Sequence, residues 1–226
     1  MSLSACGGSS GGLGSGVAVR IGDRTISEAT VAHWTPIEAI LSKEVFPSKP
    51  VPKGMAPDPP DYTDCIAYLK GKAAGEAVVS PKPTAAQLKQ ECRKDEVSSR
   101  QHILDILILY HWLLGEAERK GLTVTDQEAM ESLKAHERTQ FTSSDAFHRY
   151  LAYTGLTMSD ELLRFKNNLL AAKILNHVIE REGATPQQRR HNYTKFLKYW
   201  INKTDCAPGY IVPDCRQYKG PLPPGS

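Results

Sequence analysis

The sequence predicts a mainly α-helical domain that opens with a small β-hairpin and closes with a helix packing back onto it. Three observations lead there. Apolar residues recur at three- and four-residue steps between polar caps over most of the chain, and only the first folded segment reads as paired short strands. The third is the run Ile103 to Leu114, apolar on nearly every side, which belongs to a helix expected over 97–121. A helix without a polar back must be covered by neighbours, so this one is read as the axle of the fold. The competing reading, a membrane span, needs ~20 apolar residues. This run has about a dozen and is interrupted by Asp105 and His111.

The elements follow in order. Val17 to Ile26 holds two strand-like runs around a Gly22-Asp23 turn and reads as a hairpin. Ser27 can cap a helix through Val31, Trp34, Ile37, Ile40 and Leu41, which should kink or restart at Thr35-Pro36. Six prolines in the fourteen residues 47–60 rule out regular structure there and favour an extended excursion over 46–62. Such a segment can serve as a ligand for SH3-like domains or as a strap. A short helix around Cys65 and a loose loop over 71–83 lead to the axle, which should stop at Gly121. Thr125-x-x-Glu128 has the form of a capping box and starts a helix toward Gln140. Ser144 to Tyr153 is a short helix ended by Gly155, and Thr157 or Ser159 caps a longer one running to Gly183. The last helix is expected from Pro186 to Lys203, with Tyr193, Phe196, Leu197, Trp200 and Ile201 on one face.

The chain has 226 residues, 40% of them hydrophobic, so one main core is the default. A net charge of +3, spread along most of the sequence, gives no basis for a nucleic-acid partner. From Arg181 to Lys203, however, Arg181, Arg189, Arg190, Lys195, Lys198 and Lys203 face only Glu182. That local excess suits contact with anionic lipid or an envelope polymer, or is the solvated back of an amphipathic helix.

Five cysteines leave one over. Cys65 pairs sensibly with Cys92 and Cys206 with Cys215 by neighbourhood; the chain-entropy argument gives about 3.5 and about 2.5 kcal/mol for loops of these lengths. The close Cys spacing of a zinc site is absent, so no metal is assigned. The odd cysteine, Cys6, ends Leu3-Ser4-Ala5-Cys6, which has the form of a bacterial lipobox without the charged and apolar segments that normally precede it. A stray cysteine in a floppy tail is the alternative. Gly7 to Gly16 then forms a Gly/Ser spacer with an end-to-end distance of about 18 Å, enough to hold a domain just off a membrane. A diacylated cysteine would supply the two chains that stable anchoring needs.

No catalytic signature stands out. The seven histidines form no H-E-x-x-H, and neither a P-loop, G-x-G-x-x-G nor G-x-S-x-G occurs. No cofactor is assigned.

The order of motifs carries a resemblance. VAVRIGDRTISEATVAHW, then GEAERKGLTVTDQE at the end of the central helix, then FHRYLAYTGLTMSDELLRF and AKILNHV together resemble the N-terminal chaperone domain of SurA-like and PrsA-like foldases, over about Val17 to Glu182. TDCAPGYIVPDC resembles the C-terminal tail of that family's lipoprotein branch. The resemblance divides the chain into a tether (1–16), a helical chaperone domain (17–182), and a C-terminal helix with a disulfide-closed tail (183–226). Relatives often carry a parvulin-type prolyl isomerase domain between the last two parts. Here Glu182 to Pro186 joins them directly, so isomerase activity is not carried over, and a degenerate or partner-completed isomerase is the weakest alternative.

What the resemblance implies is ATP-independent binding of unfolded or nascent secreted proteins on the outer face of the bacterial cytoplasmic membrane, with a lipid on Cys6. Trp34, Phe46, Met55, Tyr62, Phe141, Phe147, Tyr150, Met158 and Tyr199 are the candidate client-binding residues, the alternative being that most of them are ordinary core. A membrane-anchored envelope-binding scaffold, or an accessory subunit of an isomerase, is the alternative function.

Overall fold

A computed structural model describes residues 13–75, 82–179 and 183–220. Most of the described chain is helical, with one small antiparallel sheet. β1 (Val17–Ile21) and β2 (Arg24–Ser27) form the expected hairpin, with Val19 opposite Ile26 and Ile21 opposite Arg24. The hairpin is not alone. β3 (Thr204–Cys206) pairs with the free edge of β1, Val19 opposite Cys206 and Ile21 opposite Thr204, to give the order β2-β1-β3. An edge that would otherwise present unpaired N–H and C=O groups is thereby covered from the far end of the chain.

Ser27 caps α1 (Glu28–Leu41) by accepting from the Thr30 backbone N–H at 3.0 Å. The helix runs through Pro36 without a restart, and the Thr35 hydroxyl bonds back to the Val31 carbonyl at 2.7 Å. The proline-rich strap that follows contains no helix or strand, as its composition requires. α2 (Thr63–Gly75) is longer than expected: residues 71–75 of the supposed loose loop are its last turn.

The axle is α3 (Ala85–Lys120), which begins three turns before the expected Val97. Thr84 and Gln87 close a reciprocal capping box there. This first stretch is mostly polar because it buries only Leu88 and Cys92. Its middle buries Ile103, Leu104, Leu107, Ile108, Trp112 and Leu113, and Gly121 ends it in the left-handed conformation at φ 64°. Among the described residues no helix is long and apolar enough to cross a membrane.

α4 (Asp126–Gln140), α5 (Ser144–Thr154) and α6 (Met158–Ile174) start at Thr125, Ser143 and Thr157, each side chain accepting a backbone N–H three residues on. α6 does not continue regularly to Gly183. It widens into a π turn over Leu175–Ile179, whose last carbonyl receives the Asn192 side-chain N–H at 3.1 Å. α7 (Pro186–Ile201) starts with Thr185 as cap and Pro186 in its first turn, where a missing N–H costs nothing.

One core joins the elements. Phe196, Trp200, Cys206, Val212 and Cys215 lie in the same cluster as Val19, Trp34, Trp112 and Phe147, so the segment after 183 shares the core of the segment before it. Gly115 of α3 meets the face of α7 where any Cβ would run into the Trp200 ring. Both expected disulfides are present, Cys65–Cys92 with Cα atoms 6.1 Å apart and Cys206–Cys215 with 5.8 Å.

Candidate functional site

The strap brings Phe46 onto the seam between α4 and α5. Its ring meets Phe141 edge-on at 5.7 Å between centroids and Tyr150 at 5.8 Å. Phe141 is the residue at which α4 stops, in extended conformation, so its side chain turns back across the helix end. Phe141 in turn packs on Phe147 and Tyr150, both at 5.2 Å. Above this aromatic floor is an open cleft of about 260 Å³, walled by Phe46, Pro47, Phe141, Ala146, Arg149 and Tyr153. It is smaller than the ~300–1,000 Å³ usual for small-molecule and cofactor sites, and better matched to a side chain.

A buried polar network fixes the floor. The Tyr150 hydroxyl donates to Glu161 Oε1 at 3.1 Å, and Arg164 Nη1 reaches the same oxygen at 2.8 Å. Burial, and then the Glu161 charge, push the Tyr150 phenol up to about 12. It therefore stays a neutral donor. Burial opposes the charge on Arg164, but Glu161 together with the Tyr150 and Tyr110 phenols more than offsets this and holds the guanidinium above its ordinary range.

The nine candidate client-binding residues separate by burial. Trp34, Met55, Tyr62, Phe147 and Tyr150 are buried, at 1–7% exposure, and serve the interior. Trp34 sits between α1 and the main core; Met55 and Tyr62 pin the strap, with Tyr62 donating to Glu96 at 2.8 Å. Phe46 (45%) and Met158 (39%) are exposed, and Phe141 and Tyr199 are half-buried. Only Phe46 and Phe141 meet across one cleft; Met158 opens α6 and Tyr199 lies on α7. Pro47, Arg149 and Tyr153 complete the cleft and were not foreseen. Pro47 opens the proline run, and the apolar pair Val45-Phe46 just ahead of it is the one signal the sequence offered. Cys6 and Arg181 lie outside the described residues.

A second concavity, of about 670 Å³, lies where the end of α3 meets the π turn and α7. Its lining is polar and mainly basic: Arg119, Lys120, His177, Asn192 and Lys195, with Glu116, Phe196 and Tyr199. The basic excess near the C-terminus marked one wall of it, but nothing in the order of residues showed that α3 supplies the other.

No group of three or more His, Cys, Asp or Glu side chains suited to a metal ion occurs among the described residues. Comparisons of the chain with family models, curated proteins and solved structures find no match.

Proposed function

We propose that the protein is an ATP-independent chaperone, tethered by a lipid on Cys6 outside the bacterial cytoplasmic membrane, that holds unfolded secreted or envelope proteins. The observation that carries this reading is the Phe46 cleft. Phe46, 45% exposed and next in sequence to Val45 at 59%, lines this cleft and meets its aromatic floor at Phe141 and Tyr150. Leaving Phe46 in water has a cost that a client's apolar side chain would remove, at about 1.5–3 kcal/mol per residue buried. One such contact gives weak, rapidly exchanging binding with little sequence preference, which is what release without nucleotide requires. The two disulfides support an oxidising compartment, and the order of motifs shared with SurA-like and PrsA-like foldases supports the class.

The test is light scattering of a chemically unfolded, aggregation-prone secreted protein diluted with and without the disulfide-intact chain. Suppression near equimolar ratio without ATP is expected, and F46S should lose several-fold in protection while its unfolding midpoint stays put. No suppression across several clients would count against the reading and favour the envelope-bound scaffold.

A further inference from the structure

We propose that the cleft between the end of α3 and α7 is a binding site for a phosphate ester. Among the described residues three cations line it, Arg119 and Lys120 from α3 and Lys195 from α7, against the one carboxylate of Glu116. Some surface lysines, such as Lys43, Lys166 and Lys173, are paired with carboxylates, and others, such as Lys82 and Lys134, have no ion pair among the described residues; what sets Lys120 and Lys195 apart is that they line one cleft. Lys120 and Lys195 have no ion-pair partner among the described residues. Two walls that each carry an unpaired lysine, Lys120 on one and Lys195 on the other, suit a tetrahedral oxyanion, whose oxygens diverge enough to accept from both walls at once.

The site is also preorganised. Glu116 is 5% exposed, accepts from Trp200 Nε1 at 3.2 Å, and lies 3.6 Å from Arg119 Nε, while the Arg119 guanidinium rests 4.2 Å from the centre of the Tyr199 ring. The arginine is thus held from two sides. Lys203 approaches the same ring at 4.6 Å. Lys203, and then Arg119, draw the Tyr199 phenol below its ordinary range. Two of the last carbonyls of α3, those of Glu118 and Ala117, are bonded by the Gly121 and Leu122 N–H groups, and Arg119 and Lys120 offset the negative end of the helix. The third side is the π turn, an irregularity often found at functional sites, which supplies His177, and whose bond from Asn192 orients that amide in the wall.

The ligand chemistry has two sources, a phospholipid headgroup or a soluble phosphate ester, and neither depends on the chaperone reading. The test uses the full chain with disulfides intact and two probes: glycerol 3-phosphate, followed by NMR shifts at residues 119–120 and 192–199, and vesicles of phosphatidylcholine with or without phosphatidylglycerol, followed by co-sedimentation. Saturable binding of glycerol 3-phosphate assigns a soluble source; binding only to phosphatidylglycerol vesicles assigns a membrane one. Either supports the site, provided that K120Q/K195Q weakens binding at least tenfold while K82Q/K134Q, the same charge change at exposed lysines elsewhere, changes it less than twofold. Equal losses in the two double variants would mean diffuse attraction, and that result, or no saturable binding of either probe, would overturn the proposal.

Discussion

The two ends of α3 are fastened to the rest of the molecule by different means. At its C-terminal half, Trp112 Nε1 donates to Thr204 Oγ1 at 2.8 Å, Thr204 donates to the Trp200 carbonyl at 2.8 Å, and Trp200 donates to Glu116, so α3, α7 and β3 are locked inside the main core. At its N-terminal half the buried cluster is only Tyr62, Cys65 and Cys92, with Ile66 and Leu69 against it. There a covalent bond and a few polar contacts replace apolar area. Lys43 bonds the Met55 carbonyl at 2.6 Å, and the Asp58 carboxylate accepts the Asp64 and Cys65 backbone N–H groups at 3.0 and 2.9 Å. Gly54 approaches the Asp64 backbone so closely that no side chain would fit. Burial holds one end and chemistry the other, so the two should respond to different perturbations.

The largest effect belongs to the core end. W200A removes an indole packed against Gly115 and leaves Glu116 without its buried donor. A loss of about 4 kcal/mol is expected in denaturant unfolding, with β3 released as well. If β3 amides keep their exchange protection in this variant, the lock is not at Trp200.

C65S/C92S should cost somewhat less, about 3.5 kcal/mol by loop entropy, and should act locally. Hydrogen exchange is expected to rise across 46–75 while the Trp112 region stays protected. Uniform acceleration would mean that the two ends form one cooperative unit.

A smaller effect, of opposite sign, lies where the Cys206–Cys215 loop rests on α3. Burial, and then the Asp105 charge, raise the Asp214 carboxyl to about 6, and a buried Asp105 oxygen has no hydrogen-bond partner among the described residues. A carboxyl with a raised folded-state pKa favours the fold in its protonated form. Its contribution is complete below the ordinary value of 3.8 and is lost as pH rises through about 6. D214N should therefore stabilise the protein by on the order of 2 kcal/mol at pH 7 and little at pH 4, read from unfolding midpoints. Equal midpoints at pH 7 would contradict this.

The smallest sits in the strap. Asp58 is drawn below its ordinary value, since its bonds to the Asp64 and Cys65 N–H groups outweigh the effect of burial. Its contribution is thus present above about pH 4 and lost as pH falls below that. D58A should cost about 1 kcal/mol at neutral pH, measured in the same way.

Helices were the legible part of this sequence. Thr125 and Thr157, both expected as caps, carry the polar residue three positions on that completes a reciprocal cap, and Gly121 and Gly155 stop helices where expected; Thr84 and Thr185 close the same box without having been singled out. β3 was not legible, because three residues, Thr-Asp-Cys, carry no alternation and become a strand only by meeting β1. The early turns of α3 were missed for a related reason: a helix that buries just Leu88 and Cys92 there leaves almost no apolar stripe. In the candidate site, aromatic type alone did not separate Phe46 from Phe147. Their difference, 45% against 1% exposure, comes from how the strap crosses α4 and α5.

The chaperone proposal rests on Phe46 being a contact point rather than merely an exposed ring. A photo-crosslinking residue placed at Phe46, and in a separate protein at Leu109, compares two apolar positions of similar exposure, 45% and 40%, of which only the first lines the cleft. With an unfolded secreted protein as client, adducts are expected from position 46 in clear excess over position 109. Equal yields from both, or none from position 46, would contradict the account.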